Sequence, residues 1–374
     1  MDADSRVFSN VVCSFCGRRN REVRVVRNDA GLILCQVCVA RAAQIFDDEV
    51  GVGDPKDWLG RWPLKQGSAG LAAVARPTGP RAVPFDVVIH SDWSTAPNKR
   101  WSAEARFVDD RWVASAPRLV PDPLALIAPG NSKLLGFDFP IGLPIAYASQ
   151  AGIDDFRSFL PEFGQGEWES FYLPATTPDE ISLRRPFYPR RPGGTKQQHL
   201  IEALGVSSMN DLRRRCDCRH DGRGLAEAMF WTLGAKQVGR AAIAGWSELL
   251  MPARDRIRLW PFEGALGDLC APSVVVVCET YPAEFYGHLG LPRTKTAAAR
   301  ASAALALMSG AARIGVSLDE ETVEDVHRGF DSDDAYDAFV GLLGMLNVVQ
   351  GLRAEAPLLD EEVRRVEGWM LGQA

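Results

Sequence analysis

Two hydrophobic rhythms alternate along this chain, and each change of rhythm marks an element. Residues 86–94 form a short apolar run ending in an acid, Asp92, which reads as a buried strand. Residues 100–107 and 111–120 read as two more strands, joined by a tight turn at Val108-Asp109-Asp110. A short helix is expected around 123–128. Residues 133–140 give a fourth strand, with Asp138 near its exit and a Pro/Gly turn at 140–144 behind it. Residues 273–280 carry four consecutive valines, as a central strand covered on both faces requires, and the run reaches Glu279. Helical spacing then takes over at 294–315, at 317–330 with Ser317 and Glu320 as a capping box, at 332–343, and at 360–371.

The helix that opens at Ser332 carries the most chemistry. Ala338, Leu342 and Met345 form its apolar stripe, Phe339, Leu343 and Leu346 lie beside it, and Asp331 or Ser332 suits the N-cap. Asp334 and Asp337 are three residues apart and face the same way, so they repel by about a few tenths of a kcal/mol. Two readings stand for the pair. A helix start favours carboxylates through its dipole, and a divalent cation would neutralise them. Asp92, Asp138 and Glu279 tip the balance, because each stands at a strand end. The element order predicts an α/β, RNase H-like mixed sheet flanked by helices, in which those strand ends and the first turns of the late helix converge. Five such carboxylates need hard cations, and oxygen-only ligands indicate Mg2+ or Mn2+. Two ions about 4 Å apart would activate water and stabilise the leaving oxygen of a phosphodiester. Asp92, Asp138, Glu279 and Asp337 are the expected ligands, Asp334 is shared between catalysis and the cap, and Asp333 is a solvated cap residue. Taken singly, each acid reads equally as a solvated strand end or a cap.

Length and charge narrow the setting. With 374 residues, 46% hydrophobic and 24% charged, the chain suits two domains or one large one with a substantial core. A formal charge of -6 offers no global attraction to nucleic acid, so any such site must be a local patch. Residues 1–10 have no apolar signal core and no run approaches a membrane span, so a cytoplasmic, reducing location without a membrane partner is expected. The eight cysteines then serve metal or packing rather than disulfides.

Four of those cysteines form the sharpest local motif. Cys13 and Cys16 make one CxxC pair and Cys35 and Cys38 a second, with eighteen residues between. Four thiolates in two knuckles match tetrahedral zinc and close the site to substrate. Cys13-Ser14-Phe15-Cys16-Gly17-Arg18, Val23-Arg24 and Leu34-Cys35-Gln36-Val37-Cys38-Val39 resemble the N-terminal zinc-binding domain of the ClpX unfoldase. That resemblance implies a small zinc finger over residues 1–46, a module of protein contact or self-association. No GxxxxGK[ST] loop is present, so ClpX's ATPase part is absent. Arg18, Arg19, Arg21, Arg24 and Arg27 stand either as DNA contacts or as a solvated basic face. Residues 47–84, rich in acids, then Gly, Pro and Ala, read as a linker.

The second unit, residues 85–374, contains a large helical insertion at about 145–272 whose middle is basic. Arg184, Arg185, Arg190, Arg191 and Lys196, interleaved with Phe187, Tyr188 and His199, suit a phosphate-backbone groove, and so do Lys236 and Arg240 on a later helix. A solvated face with salt bridges accounts for the same charges. Cys216, Cys218 and His220 lack a usual zinc spacing, and His288 and His327 are isolated. Gly136-Phe137-Asp138-Phe139-Pro140-Ile141-Gly142-Leu143-Pro144, Cys278-Glu279-Thr280-Tyr281-Pro282-Ala283 and Asp333-Asp334-Ala335-Tyr336-Asp337-Ala338 resemble the family called domain of unknown function 429, regarded as nucleases of RNase H fold. The aspartate pair also resembles the last catalytic helix of RuvC-type resolvases. The expectation is a metal-dependent nuclease with structural Zn2+ in its finger and catalytic Mg2+ or Mn2+. The alternative is a non-catalytic adaptor, with the finger for protein contacts and the larger domain as platform.

Overall fold

A computed structural model describes residues 25–27, 33–35, 83–219, 224–234 and 238–373. In the N-terminal stretch β1 (Val25–Arg27) pairs antiparallel with β2 (Ile33–Cys35), Val25 opposite Cys35. The expected zinc ligands Cys13, Cys16 and Cys38, and the Cys35 side chain, lie outside the described residues, as does the whole linker up to residue 82.

The remaining strands are β3 (Val87–Asp92), β4 (Trp101–Val108), β5 (Arg111–Leu119), β6 (Lys133–Phe137), β7 (Ile257–Leu259), β8 (Val275–Glu279) and β9 (Val316–Leu318). They form one seven-stranded mixed sheet in the order β7-β8-β6-β3-β4-β5-β9. Only β4 runs against its neighbours; β3, β6, β8 and β7 are parallel to one another, and β9 is parallel to β5. Helices flank the sheet, so the protein is a mixed α/β structure. The β4–β5 turn falls on Asp109 and Asp110, with φ of 50° and 60°, the left-handed pair that matches the twist of a two-residue hairpin.

Strand alternation sorts side chains onto two faces. Val87, Ile89, Leu135, Phe137, Val275 and Val277 enter one core, and Val88, Leu134, Val276 and Cys278 the other. Residues 145–272 fill most of the first face, while Trp260, Leu266 and Leu269 near their end enter the other core. Of their helices only α1 (Ile145–Ala151), α2 (Gln198–Leu204) and α3 (Val238–Gly245) exceed four residues, apart from a five-residue π-helical turn at Trp246–Leu250. The expected helical insertion is thus mostly turns, gathered around packed aromatic rings. Phe163 stacks on Phe171 with centroids 3.9 Å apart, and both lie against Trp246. The end of the insertion also supplies edge strand β7, too short at three residues to leave a periodic signal.

The second face is covered by α4 (Pro282–Leu289), α5 (Ala297–Ser302), α6 (Ala304–Arg313), α7 (Glu320–Arg328) and α8 (Asp333–Val349). The single helix expected over 294–315 is broken at Ala303, the shared cap of α5 and α6. The Ser317–Glu320 capping box does not form, because Ser317 pairs in β9. Asp319 caps α7 instead, accepting from the Thr322 N–H at 2.8 Å. No helix among the described residues is long and apolar enough to cross a membrane.

α8 lies nearly flush on the sheet. A Cβ at Gly341 would stand 2.3 Å from the His90 ring, one at Gly344 2.0 Å from Phe285, and one at Gly136 2.4 Å from Met345 Sδ. Missing side chains therefore set the helix height. Gly341→Val is expected to lose about 1–3 kcal/mol of stability through overpacking, read as a lowered urea midpoint. An unchanged midpoint would show that α8 has room to lift.

Candidate functional site

α8 begins after Ser332, whose hydroxyl accepts from the Ala335 N–H at 3.0 Å, so Ser332 rather than Asp331 or Asp334 serves as the cap. Asp334 lies in the first turn, half-buried, and Asp337 one turn further in, 9% exposed. Below them β3 ends in Asp92, equally buried. Asp138 directly follows β6, and its N–H donates to the Ser91 carbonyl at 3.2 Å, which straps it beside the end of β3. Neighbouring parallel strands stand about 4.8 Å apart, so Asp92 and Asp138 are adjacent carboxylates at one sheet end.

These four acids act on one another. Burial pushes the Asp92 carboxyl well above the usual range, and Asp138, Asp337 and Asp334 raise it further, in that order. Burial and neighbouring carboxylates also raise Asp334, with Lys99 and Lys295 opposing. Asp337 is the best anchored. The Tyr286 hydroxyl donates to its Oδ1 at 2.5 Å and the Lys295 ammonium donates to its Oδ2. Burial works against the Lys295 charge, but Asp337, Asp92 and Asp138 outweigh it and hold the ammonium above the ordinary lysine value. Lys295 and Tyr286 were not legible as site residues. Lys295 falls within the helix expected over 294–315 but sits in the link between α4 and α5, and nothing in the spacing aims it at the aspartates.

Glu279 does not join this group. β8 pairs in register with β6, Glu279 opposite Phe137, and so Glu279 projects onto the insertion face while Thr280 takes the α8 face. Arg214, fully buried, donates to Glu279 Oε2 at 2.5 Å and Oε1 at 2.7 Å, and the Ile141 N–H adds a bond of 2.7 Å. The same guanidinium bonds both oxygens of Asp217 at 3.0 and 3.1 Å. Burial disfavours its charge, but the carboxylates of Asp217 and Glu279 more than offset this. His90, fully buried under α8, is held neutral with its pKa lowered to about 3 by burial, its Nδ1–H donating to the Ala338 carbonyl at 3.1 Å.

The basic residues divide as well. Arg184 pairs with Glu167, and Arg185 with Glu180 at 3.2 Å and with the Leu173 and Pro174 carbonyls. Arg240 braces the Thr232 and Arg190 carbonyls. Arg190, Arg191 and Lys196 have exposed side chains; Lys236 and His220 lie outside the described residues. Cys216 is buried beside Arg214, whereas Cys218 is exposed.

Whether this site suits a metal turns on its donors. Asp92, Asp138, Asp334 and Asp337 offer only hard oxygens, and the buried Thr280 hydroxyl on the same face has no hydrogen-bond partner. Among the described residues, however, no three acids, histidines or cysteines stand ready to ligate one ion. The carboxylates feel one another's charge without converging on a point, and Asp337 is drawn to Lys295 and Tyr286. The donor set is oxygen-only, the type that Mg2+ and Mn2+ take. Comparison with protein-family models, with curated proteins and with solved structures found no match to this chain.

The two kinds of buried charge respond oppositely to substitution. Arg214→Met leaves Glu279 and Asp217 buried without their guanidinium and is expected to cost about 3–5 kcal/mol, whereas Arg215→Met, at an exposed pair with Asp360, costs about 1 kcal/mol at most. Urea unfolding of both variants checks the contrast. Asp92 has the opposite sign. Its folded pKa lies above the unfolded value, so folding takes up a proton and this stability is lost as pH rises from about 4 through the folded pKa. Asp92→Asn in chelator-treated buffer is therefore expected to raise the thermal midpoint at pH 7, with the gain shrinking toward pH 4. A variant less stable than the parent at pH 7 contradicts this.

Proposed function

We propose that the protein is a metal-dependent nuclease, hydrolysing phosphodiester bonds with Mg2+ or Mn2+ held by Asp92, Asp138, Asp334 and Asp337. The observation that carries this reading is Asp92, buried at the end of a central strand and destabilised by three other aspartates. Carboxylates perturbed by burial and by neighbouring charge cluster at functional sites. The order β5-β4-β3-β6-β8, with β4 alone reversed, supports an RNase H-like core. The aspartates at the ends of β3 and β6 and on α8 have the positions that core uses, in keeping with the motif resemblance to nucleases.

A bound divalent ion supplies an activated water and neutralises phosphate charge. The rest of the work belongs to this chain. Asp92 and Asp138 fix the ligand positions from rigid strand ends, and α8 holds Asp337 one turn above. Tyr286 and Lys295 orient the Asp337 carboxylate. Arg190, Arg191 and Lys196 offer exposed charge to a nucleic-acid backbone. Arg240 braces the Arg190 carbonyl, and Gly245, at the far end of α3, packs against Phe139, the residue after Asp138. From Arg240 to Gly245 is about 7.5 Å of helix, so α3 links the basic loop to the backbone beside Asp138. Arg184, Arg185 and Arg240, tied internally, position that loop. Cys13, Cys16, Cys35 and Cys38 are assigned to structural Zn2+ in a finger that recruits a protein or a second copy.

The Lys295 ammonium on Asp337 favours a second reading, a non-catalytic platform whose acid group is already neutralised. One assay separates the two. Purified full-length protein is incubated with Mg2+ or Mn2+ and with single-stranded, duplex and branched DNA and RNA. Cleavage is expected, with Asp92→Asn and Asp138→Asn each lowering it at least about 100-fold. Alanine at Arg190, Arg191 and Lys196 together should weaken binding and flatten its salt dependence by about one unit of log–log slope for each phosphate the triple variant no longer neutralises. Cleavage that survives both aspartate substitutions, or none on any substrate, overturns the nuclease reading.

A further inference from the structure

Phe187 and Tyr188, interleaved with arginines in the sequence, are fully buried and offer no ring to a ligand. Trp231, half-buried, is the aromatic residue that borders the basic loop. Tyr188 forms a parallel bridge with Trp231, and their rings meet edge to face with centroids 6.1 Å apart. Tyr188 is itself held by half-buried His199 of α2, whose Nδ1 lies 2.9 Å from the Tyr188 hydroxyl.

The backbone that carries Trp231 is bolted to the loop. The Tyr188 N–H donates to the Phe230 carbonyl at 2.9 Å, and the Thr232 N–H donates to the Tyr188 carbonyl at 3.0 Å. The Thr232 hydroxyl donates to the Pro189 carbonyl. Arg240 then bridges the Thr232 and Arg190 carbonyls, at 3.2 and 2.9 Å. α3 presses on the same segment, since a Cβ at Gly239 would stand 2.9 Å from the Trp231 carbonyl. One rigid unit therefore carries an indole beside Arg190, with Arg191 and Lys196 exposed just beyond. The surroundings set Trp231 apart from Trp168, the other half-buried tryptophan of the insertion. Trp168 lines a cleft with Asp154, Asp155, Glu162 and Glu167, whose charges repel a phosphate chain.

We propose that Trp231 is a stacking platform for a base, so that the basic loop takes single-stranded nucleic acid. Guanidinium and ammonium groups hold the phosphates, and an aromatic face takes a base of any identity. That face is open only to a base that is not stacked and paired within a duplex. The inference rests on the nucleic-acid substrate of the reading above, not on its metal chemistry, and names the form of that substrate.

Binding is measured on full-length protein without added divalent ion, so that no strand is cut. Fluorescence anisotropy follows labelled single strands of DNA and of RNA of about 20 nucleotides, longer than a site of about 4–16, and a DNA duplex of equal length. The single strands are expected to bind more tightly than the duplex. Trp231→Ala should weaken single-strand binding at least about fivefold. It should leave duplex binding and the salt dependence unchanged, because no charge is removed. Trp231→Phe should keep most of the affinity but lose the tryptophan quenching that a base stacked on the indole produces. An abasic sugar-phosphate strand should bind the parent as weakly as DNA binds Trp231→Ala, which keeps the test decisive should that variant fail to fold. Duplex binding as tight as single-strand binding overturns the inference, and so does undiminished binding by Trp231→Ala or of the abasic strand. Poly-L-glutamate held as tightly as the single strands assigns the loop to an acidic protein and also overturns it. No binding of any nucleic acid by the parent overturns both this inference and the nuclease reading. Trp231-dependent binding without cleavage in the metal assay overturns the nuclease reading alone.

Discussion

The close seating of α8 on the sheet is the constraint from which the site follows. Gly341 rests over the His90 ring, Gly344 over Phe285, and Met345 fills the space above Gly136. A helix held this low cannot carry Asp337 out to solvent. It presses that carboxylate down toward the ends of β3 and β6, where Asp92 and Asp138 already stand. The same pressure buries His90, which stays neutral and spends its one N–H on the Ala338 carbonyl. Packing thus comes first, and the strained electrostatics are its consequence.

The two faces of the sheet handle buried charge in opposite ways. On the insertion face one guanidinium, Arg214, meets two carboxylates, Glu279 and Asp217, with paired geometry to both. Glu367 extends the knot, accepting from the Ile145 and Arg215 N–H groups, while its own carbonyl lies 3.4 Å from Arg214 Nη1. Strand β8, the insertion and the C-terminal segment are tied together there. On the α8 face Lys295 bonds one of four aspartates, Lys99 and Lys295 both temper Asp334, and Asp92 is left raised. A buried ion pair contributes little net stability, but breaking one is costly, so the first arrangement resists change. A buried carboxylate raised by its neighbours costs stability at neutral pH.

Much of this was legible in the sequence. The runs at 86–94, 100–107, 111–120 and 273–280 became strands, the Asp109–Asp110 turn fell where expected, and the aspartates of the 332–343 helix faced the sheet. Three features escaped, each for a definable reason. β7 and β9 are three-residue edge strands, too short for a periodic signal. Ser317–Glu320 has the spacing of a capping box, but pairing with β5 claims Ser317 first, a tertiary preference that local pattern does not contain. Lys295 reaches the aspartates from a link between helices, so only the fold brings it there.

Glu279 is the most instructive of the sequence expectations. Reaching a strand end is not enough to enter a site, because adjacent strand residues point to opposite faces. Asp92 shares its face with Val88 and His90, and Asp138 follows Leu134 and Gly136 on that same face. In β8 the corresponding positions are Val276 and Cys278, and the next is Thr280, not Glu279. Four valines in a row conceal this parity, since a strand buried on both sides has no polar face against which to count. In-register pairing with β6 restores the count, and it assigns Glu279 to Arg214. The face on which a carboxylate emerges, rather than its distance from the strand end, separates the acid that ties the fold together from the acids that crowd beneath α8.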